Sequence, residues 1–172
     1  MSYWPAFRHA GTQIDLTHLE PFEMACGVNG EPPRRVFVTF DEHTFTREIT
    51  PEDPAAHLCF KDRIFCPIRY GLSQGLQAII QTFPQVRVYQ TWERNSYVYF
   101  AASVVSPVGP YHVFFNTQRY EFSKKKKGVK MHVLSAYPRE AGVYGDGQQP
   151  NTIDFARLVE NTFMKRQITF SK

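Results

Sequence analysis

The stretch Tyr111–Tyr137, YHVFFNTQRYEFSKKKKGVKMHVLSAY, most constrains what this chain can fold into. Two β-rich runs, Tyr111–Asn116 and Val129–Tyr137, flank a loop that holds four consecutive lysines, Lys124 to Lys127. In the second run Val129, Met131, Val133, Ser135 and Tyr137 alternate with Lys130, His132, Leu134 and Ala136. A period of two is the mark of a strand whose two faces meet different surroundings. Two such runs joined by a polar turn predict an antiparallel hairpin. Arg119, His132, Ser135 and Tyr137 on that hairpin, beside the lysines, suit the binding of a polyanion.

The remaining segments supply partners for the hairpin. Arg35–Phe40 and Val86–Trp92 alternate as strands do, and Tyr97–Val105 is almost wholly apolar, as a central strand would be. SPVGP at Ser106–Pro110 reads as the turn into Tyr111. Leu76, Ile79, Ile80 and Phe83 recur at helical spacing behind Ser73, the expected N-cap, and Pro84 closes that helix. Asn151 is the expected cap of a final helix over residues 151–167, with Ile153, Phe155, Leu158, Val159 and Phe163 as its apolar stripe. The predicted fold class is α+β: an antiparallel sheet of about five strands with helices packed on one side. A single domain over residues 1–172 is expected, with an N-terminal arm (1–30), a core (31–137) and the C-terminal helix.

Net charge is +4 with a pI near 9.0, which tilts the choice of partner towards anions such as nucleic acid. The three cysteines, Cys26, Cys59 and Cys66, form no CxxC pair, so reduced thiols and a cytoplasmic location are expected. Met1–His9 lacks the apolar segment of a signal peptide, and no run approaches the roughly 18 apolar residues of a membrane span. Serine-nucleophile, phosphate-loop and dinucleotide signatures are absent, and no cofactor is expected.

The candidate chemistry lies in four places. His43 can move a proton near neutral pH, and Arg47, four residues on, can clamp a phosphate. Asp41, Glu42 or Glu48 could equally pair with them and leave both merely structural. Arg119, His132, Ser135 and Tyr137 form a second set. Metal-free RNA cleavage needs a base for the 2′-hydroxyl, an acid for the leaving oxygen and cations for the phosphorane charge. His43 or His132 could be base or acid, Tyr137 a phenolic donor, and Arg47 and Arg119 the cations. Lys124, Lys125, Lys126, Lys127 and Lys130 could follow a nucleic-acid backbone, or simply keep a hairpin tip solvated. His57, Cys59 and Cys66 would suit zinc chemically, but their irregular spacing leaves the expected metal as none.

LTHLEPF at Leu16–Phe22, HTFTR at His43–Arg47, RIFCPIRYGLS at Arg63–Ser73, VFFNTQRY at Val113–Tyr120 and VLSAY at Val133–Tyr137 resemble a group of small bacterial proteins without an established function. The resemblance runs to about Tyr137 and leaves the C-terminal helix outside. A strand, a basic turn and a strand ending in SAY are also similar to the end of RelE/barnase-type ribonucleases, including toxins of toxin–antitoxin pairs. That likeness rests on Arg119, Ser135 and Tyr137 and implies a metal-independent endoribonuclease with an antitoxin or other protein as partner. A non-catalytic nucleic-acid- or partner-binding protein is the alternative.

Overall fold

The computed structural model describes residues 3–54, 58–60, 62–93, 96–106, 109–123, 126–138 and 151–170. Strands β1 (Phe7–His9) and β2 (Thr12–Ile14) come first, then β3 (Phe22–Cys26), β4 (Arg34–Phe40), β5 (Thr46–Glu48), β6 (Leu58–Phe60) and β7 (Arg63–Phe65). Helices α1 (Pro67–Ser73) and α2 (Leu76–Gln81) follow. Strands β8 (Arg87–Glu93), β9 (Ser96–Ser106), β10 (Gly109–Ser123), β11 (Lys126–Pro138) and β12 (Thr152–Asp154) lead to helix α3 (Phe155–Met164).

The architecture is mixed α+β, and the main sheet departs from the expected five antiparallel strands. Among the described residues it has seven, in the order β12-β8-β9-β10-β11-β4-β3. The meander β8-β9-β10-β11 is antiparallel, as strand runs joined by short turns predict. Strand β4 joins β11 in parallel, with His132 opposite Thr39. The two edge strands come from segments read as an arm and as a helix. Strand β3 pairs with β4, and β12 pairs with β8. Separate from this sheet are the three-stranded β5-β7-β6 and the β1–β2 hairpin. Ala10 and Gly11 turn that hairpin with φ of 48° and 78°, the left-handed pair that matches strand twist.

Both helix starts differ from expectation. Ser73 ends α1 instead of capping the next helix, and its hydroxyl donates to the Tyr70 carbonyl at 2.8 Å. Pro67 begins α1, where its missing N–H costs nothing. At the C-terminus the backbone of Asn151 accepts from the Gln90 N–H at 2.9 Å, extending the β8–β12 ladder, so the helix waits until Phe155. Lys165 closes α3 in the left-handed conformation (φ 56°), with the Arg166 N–H returning to the Asn161 carbonyl at 2.9 Å.

One face of the sheet makes the core. Val36, Val38, Phe40, Val113, Phe115, Val129, Met131 and Val133 are buried with Leu76, Ile80, Phe83, Phe155, Leu158 and Val159 of the helical layer. Phe115 meets Phe83 and Phe155 at ring distances of 5.7 Å each. Arg34, on the same face of β4, closes a two-bond ion pair with the buried Glu160 of α3 at 2.7 and 3.0 Å. The alternation along β11 does not run unbroken. Phe114 pairs with Ser135 and Phe115 with Val133, so Leu134 is an inserted residue. This bulge moves Ala136 into the core and takes Ser135 and Tyr137 off the face that holds Val129–Val133.

Candidate functional site

The parallel pairing of β4 with β11 builds the site. It brings the C-terminal end of β4, and the 3-10 turn Glu42–Thr44 after it, against the middle of β11. The Asp41 N–H donates to the Val133 carbonyl at 2.9 Å, which holds the turn on the strand. The Asp41 side chain accepts from the His43 backbone N–H at 3.1 Å and so caps the turn. Its two carboxylate oxygens each face an imidazole. Oδ1 lies 3.7 Å from His43 Nε2, and Oδ2 lies 3.7 Å from His132 Nε2. Those separations are ion-pair range and longer than a direct hydrogen bond. On its far side His132 Nδ1 sits 2.8 Å from the hydroxyl of the buried Thr39.

Two guanidinium groups stand behind this group. Arg69, half-buried on α1, donates to the His43 carbonyl at 3.0 Å and to the Thr46 carbonyl at 2.8 Å, and lies 4.9 Å over the Tyr137 ring. Arg63 is buried and donates to the Thr46 hydroxyl at 2.8 Å. Burial holds the His43 imidazole below its ordinary pKa, and the charge of Arg63 adds to that, against the opposing pull of Asp41. At Asp41 burial pushes upward, but His132 and the His43 N–H outweigh it and leave the carboxyl below its usual range. The result is a carboxylate held ionised between two rings that are each about one-third exposed.

The predicted residues fall into separate groups. His43 and His132, 89 positions apart in sequence, meet at Asp41. Tyr137 stacks on Phe114 at 5.3 Å and reaches His43 only through Arg69. Ser135 is half-buried beside Phe114 in the ladder. Arg47 does not converge with them: Asp53 holds its guanidinium with two bonds of 2.6 Å. Nor does Arg119, which lies 5.6 Å over the Phe163 ring of α3, on the sheet face opposite His132. Neighbouring Thr117 marks the same face by meeting Thr162 of α3 at 3.1 Å. Lys124, Lys125 and His57 lie outside the described residues. Lys127 pairs with Glu121 at 3.6 Å, and Lys130 shares the face of His132.

The face of β10, β11 and β4 that carries His132 also holds aromatic residues outside the candidate sets of the sequence. The rings of Phe37 and Tyr120 stack at 5.7 Å and 12°, and Phe122 meets Tyr120 edge-on at 4.8 Å. Arg35 lies 4.4 Å over Phe122 and pairs with Glu23. All three rings are half-buried. Their signal in the sequence is an aromatic at the outward position of a strand, Phe37 beside Thr39 and Tyr120 beside Gln118. Asp41 was visible as a neighbour that could pair with His43, and it does so; Thr39, Arg63 and Arg69 carried no comparable signal, because only the folded chain brings them to the histidines.

The described residues contain no helix long and apolar enough to cross a membrane. Compared with known proteins, the chain matches the YjaZ family over residues 6–163. The match extends through most of α3, beyond the limit near Tyr137 set by the motifs. No curated protein and no solved structure matches it.

Proposed function

The chain belongs to the YjaZ family, and we propose that it is an RNA-acting protein, a metal-independent endoribonuclease with His43 and His132 as its acid–base pair. The observation that carries the reading is the placement of both imidazoles at 3.7 Å from one carboxylate, Asp41. His43, held neutral by burial and by Arg63, suits the base that takes the 2′-hydroxyl proton. The freed oxygen attacks phosphorus, the bond to the 5′-oxygen breaks, and His132 protonates that oxygen. The Thr39 hydroxyl, 2.8 Å from Nδ1, orients the His132 ring, and Nε2, at ion-pair distance from Asp41 and without a direct hydrogen bond to it, is the nitrogen that delivers the proton. Lys130, on the face of His132, is the phosphate contact. Arg47 and Arg119 have no part in this set.

The test is cleavage of a single-stranded RNA by purified protein with a chelator present, with product ends identified as cyclic phosphates. His43→Ala and His132→Ala should each lose about 10²-fold or more. Equal cleavage by wild type and both variants would remove the pair from the mechanism. The likeness to RelE/barnase-type enzymes adds a toxin role with an antitoxin partner, and growth arrest on expression, relieved in His132→Ala, is its readout. A second reading has one observation behind it: Asp41, Glu42 and His43 place ligand atoms within 4.8 Å of one another, a spacing that admits a divalent cation. Loss of activity on chelation, restored by a divalent ion, would favour that reading.

A further inference from the structure

We infer that the outer face of β10, β11 and β4 is a docking surface for single-stranded RNA, with bases stacked on Tyr120 and Phe37 and a phosphate on Lys130. The inference rests on the RNA reading of the histidine pair and adds the strandedness of the substrate. The core occupies the opposite face of the sheet, so these rings are not needed to fill it. Phe37 and Tyr120 stack on each other with planes 12° apart and are half-buried, so part of each ring stays open to solvent. Phe122 and the guanidinium of Arg35 extend the platform at one end. Accessible aromatic faces beside cations are what a sequence-tolerant single-strand site requires, because every base offers a π-face and every link a phosphate; here the half-buried Phe37 and Tyr120 supply them.

The charge around the platform fits that occupant. Arg35 is engaged by Glu23 and Lys127 by Glu121, whereas among the described residues Lys126 and Lys130 have no carboxylate partner. In the ladder Lys130 lies between Phe37 of β4 and Gln118 of β10. His132 follows two residues along the same strand, about 7 Å on. A strand lying on the rings would therefore pass Lys130 and bring its next phosphate to His132. A duplex keeps its bases stacked inside and cannot offer them to Tyr120.

The test measures binding separately from cleavage. A fluorescein-labelled 12-mer RNA with every 2′-hydroxyl methylated cannot be cleaved by 2′-oxygen attack, and its anisotropy reports binding alone. The expected result is binding of this strand, at least tenfold weaker binding of its duplex, and weakening with salt. Tyr120→Ala should weaken binding about tenfold, Tyr120→Phe should restore it, and Lys130→Glu should weaken it and flatten the salt dependence. Circular dichroism melts confirm that each variant is folded. Equal affinity for strand and duplex, or no loss in folded Tyr120→Ala, overturns the surface. Strand binding with no cleavage of unmodified RNA overturns the nuclease reading and leaves the surface standing. Cleavage of unmodified RNA that is indifferent to Tyr120→Ala does the reverse.

Discussion

Gly128 lies under the aromatic platform, and replacing it tests how tightly that face is built. It opposes Tyr120 across the β10–β11 ladder. A Cβ added there would lie 2.5 Å from the Arg35 carbonyl oxygen and 2.5 Å from Phe122 Cε2, where ordinary contact begins near 3.4 Å. The Phe122 ring can swing away. The carbonyl cannot, because Arg35 stands within β4, next to the parallel β4–β11 ladder. Overpacking of this kind costs about 1–3 kcal/mol, and a clash with fixed backbone belongs in the upper half. Loss of glycine's freedom in the unfolded chain offsets about 0.4–1 kcal/mol. The net expectation for Gly128→Ala is destabilisation of roughly 2 kcal/mol, or about 4–8 °C in Tm for a chain of this size. Gly71→Ala is the control. Gly71 sits inside α1 with nothing within 4 Å of an added Cβ, and the change should stabilise by about 0.5–1 kcal/mol. Urea and thermal melts followed by circular dichroism read both. Gly128→Ala as stable as wild type would refute the close approach of Phe122 and β4 at this point, and with it the geometry of the platform.

The remaining expectations concern charge. Burial holds His18 and His43 below their ordinary pKa, so on acidification the unfolded chain takes up these protons first. Their contribution to stability is present above about pH 6.5 and is lost as pH falls through the folded-state values, so the urea midpoint should drop from pH 7.5 to pH 5, less steeply in His18→Gln. Arg34→Ala should cost about 3 kcal/mol in a urea melt by leaving the buried Glu160 carboxylate unpaired, and Arg34→Met with Glu160→Leu should recover most of it. Arg47→Ala and Arg119→Ala should keep RNA cleavage within about twofold of wild type, against the 10²-fold or larger loss in His43→Ala. A steep loss in either arginine variant, with the fold intact by circular dichroism, would return that residue to the mechanism.

What could be read in the sequence follows the range of the interactions involved. The meander was legible because alternation in β8 and β11, the apolar run of β9 and the β-rich start of β10 are written locally, and antiparallel neighbours need only a short turn. The C-terminal helix was legible in its stripe, though not in its start. Asn151 looks like a cap on local grounds, but the ladder to Gln90 offers its backbone a better use, and Thr152–Asp154 extend the sheet first. Ser73 misled for a similar reason. Its hydroxyl closes on the turn before it and meets His18 Nε2 at 2.7 Å, 55 positions away. The bulge at Leu134 was invisible because a single inserted residue leaves the apolar pattern almost unchanged while exchanging the faces of everything beyond it.

The site itself depends on the least legible feature, the parallel register of β4 with β11. Parallel strands need a long crossover, and nothing local in RVFVTF says which later strand it joins or in which direction. An antiparallel β4 would carry Asp41 to the other end of β11, away from His132. The register that sets Thr39 opposite His132 is thus what places one carboxylate between two histidines from distant parts of the chain. Arg119 shows the converse. It stands in the same hairpin as His132, close in sequence, yet its side chain goes to Phe163 on the other face. With a side-chain period of two, residues in one hairpin are divided between the faces by parity, and proximity along the chain carries no weight against it. A constellation in a sheet protein must therefore be sought by face and register first, and by motif only afterwards.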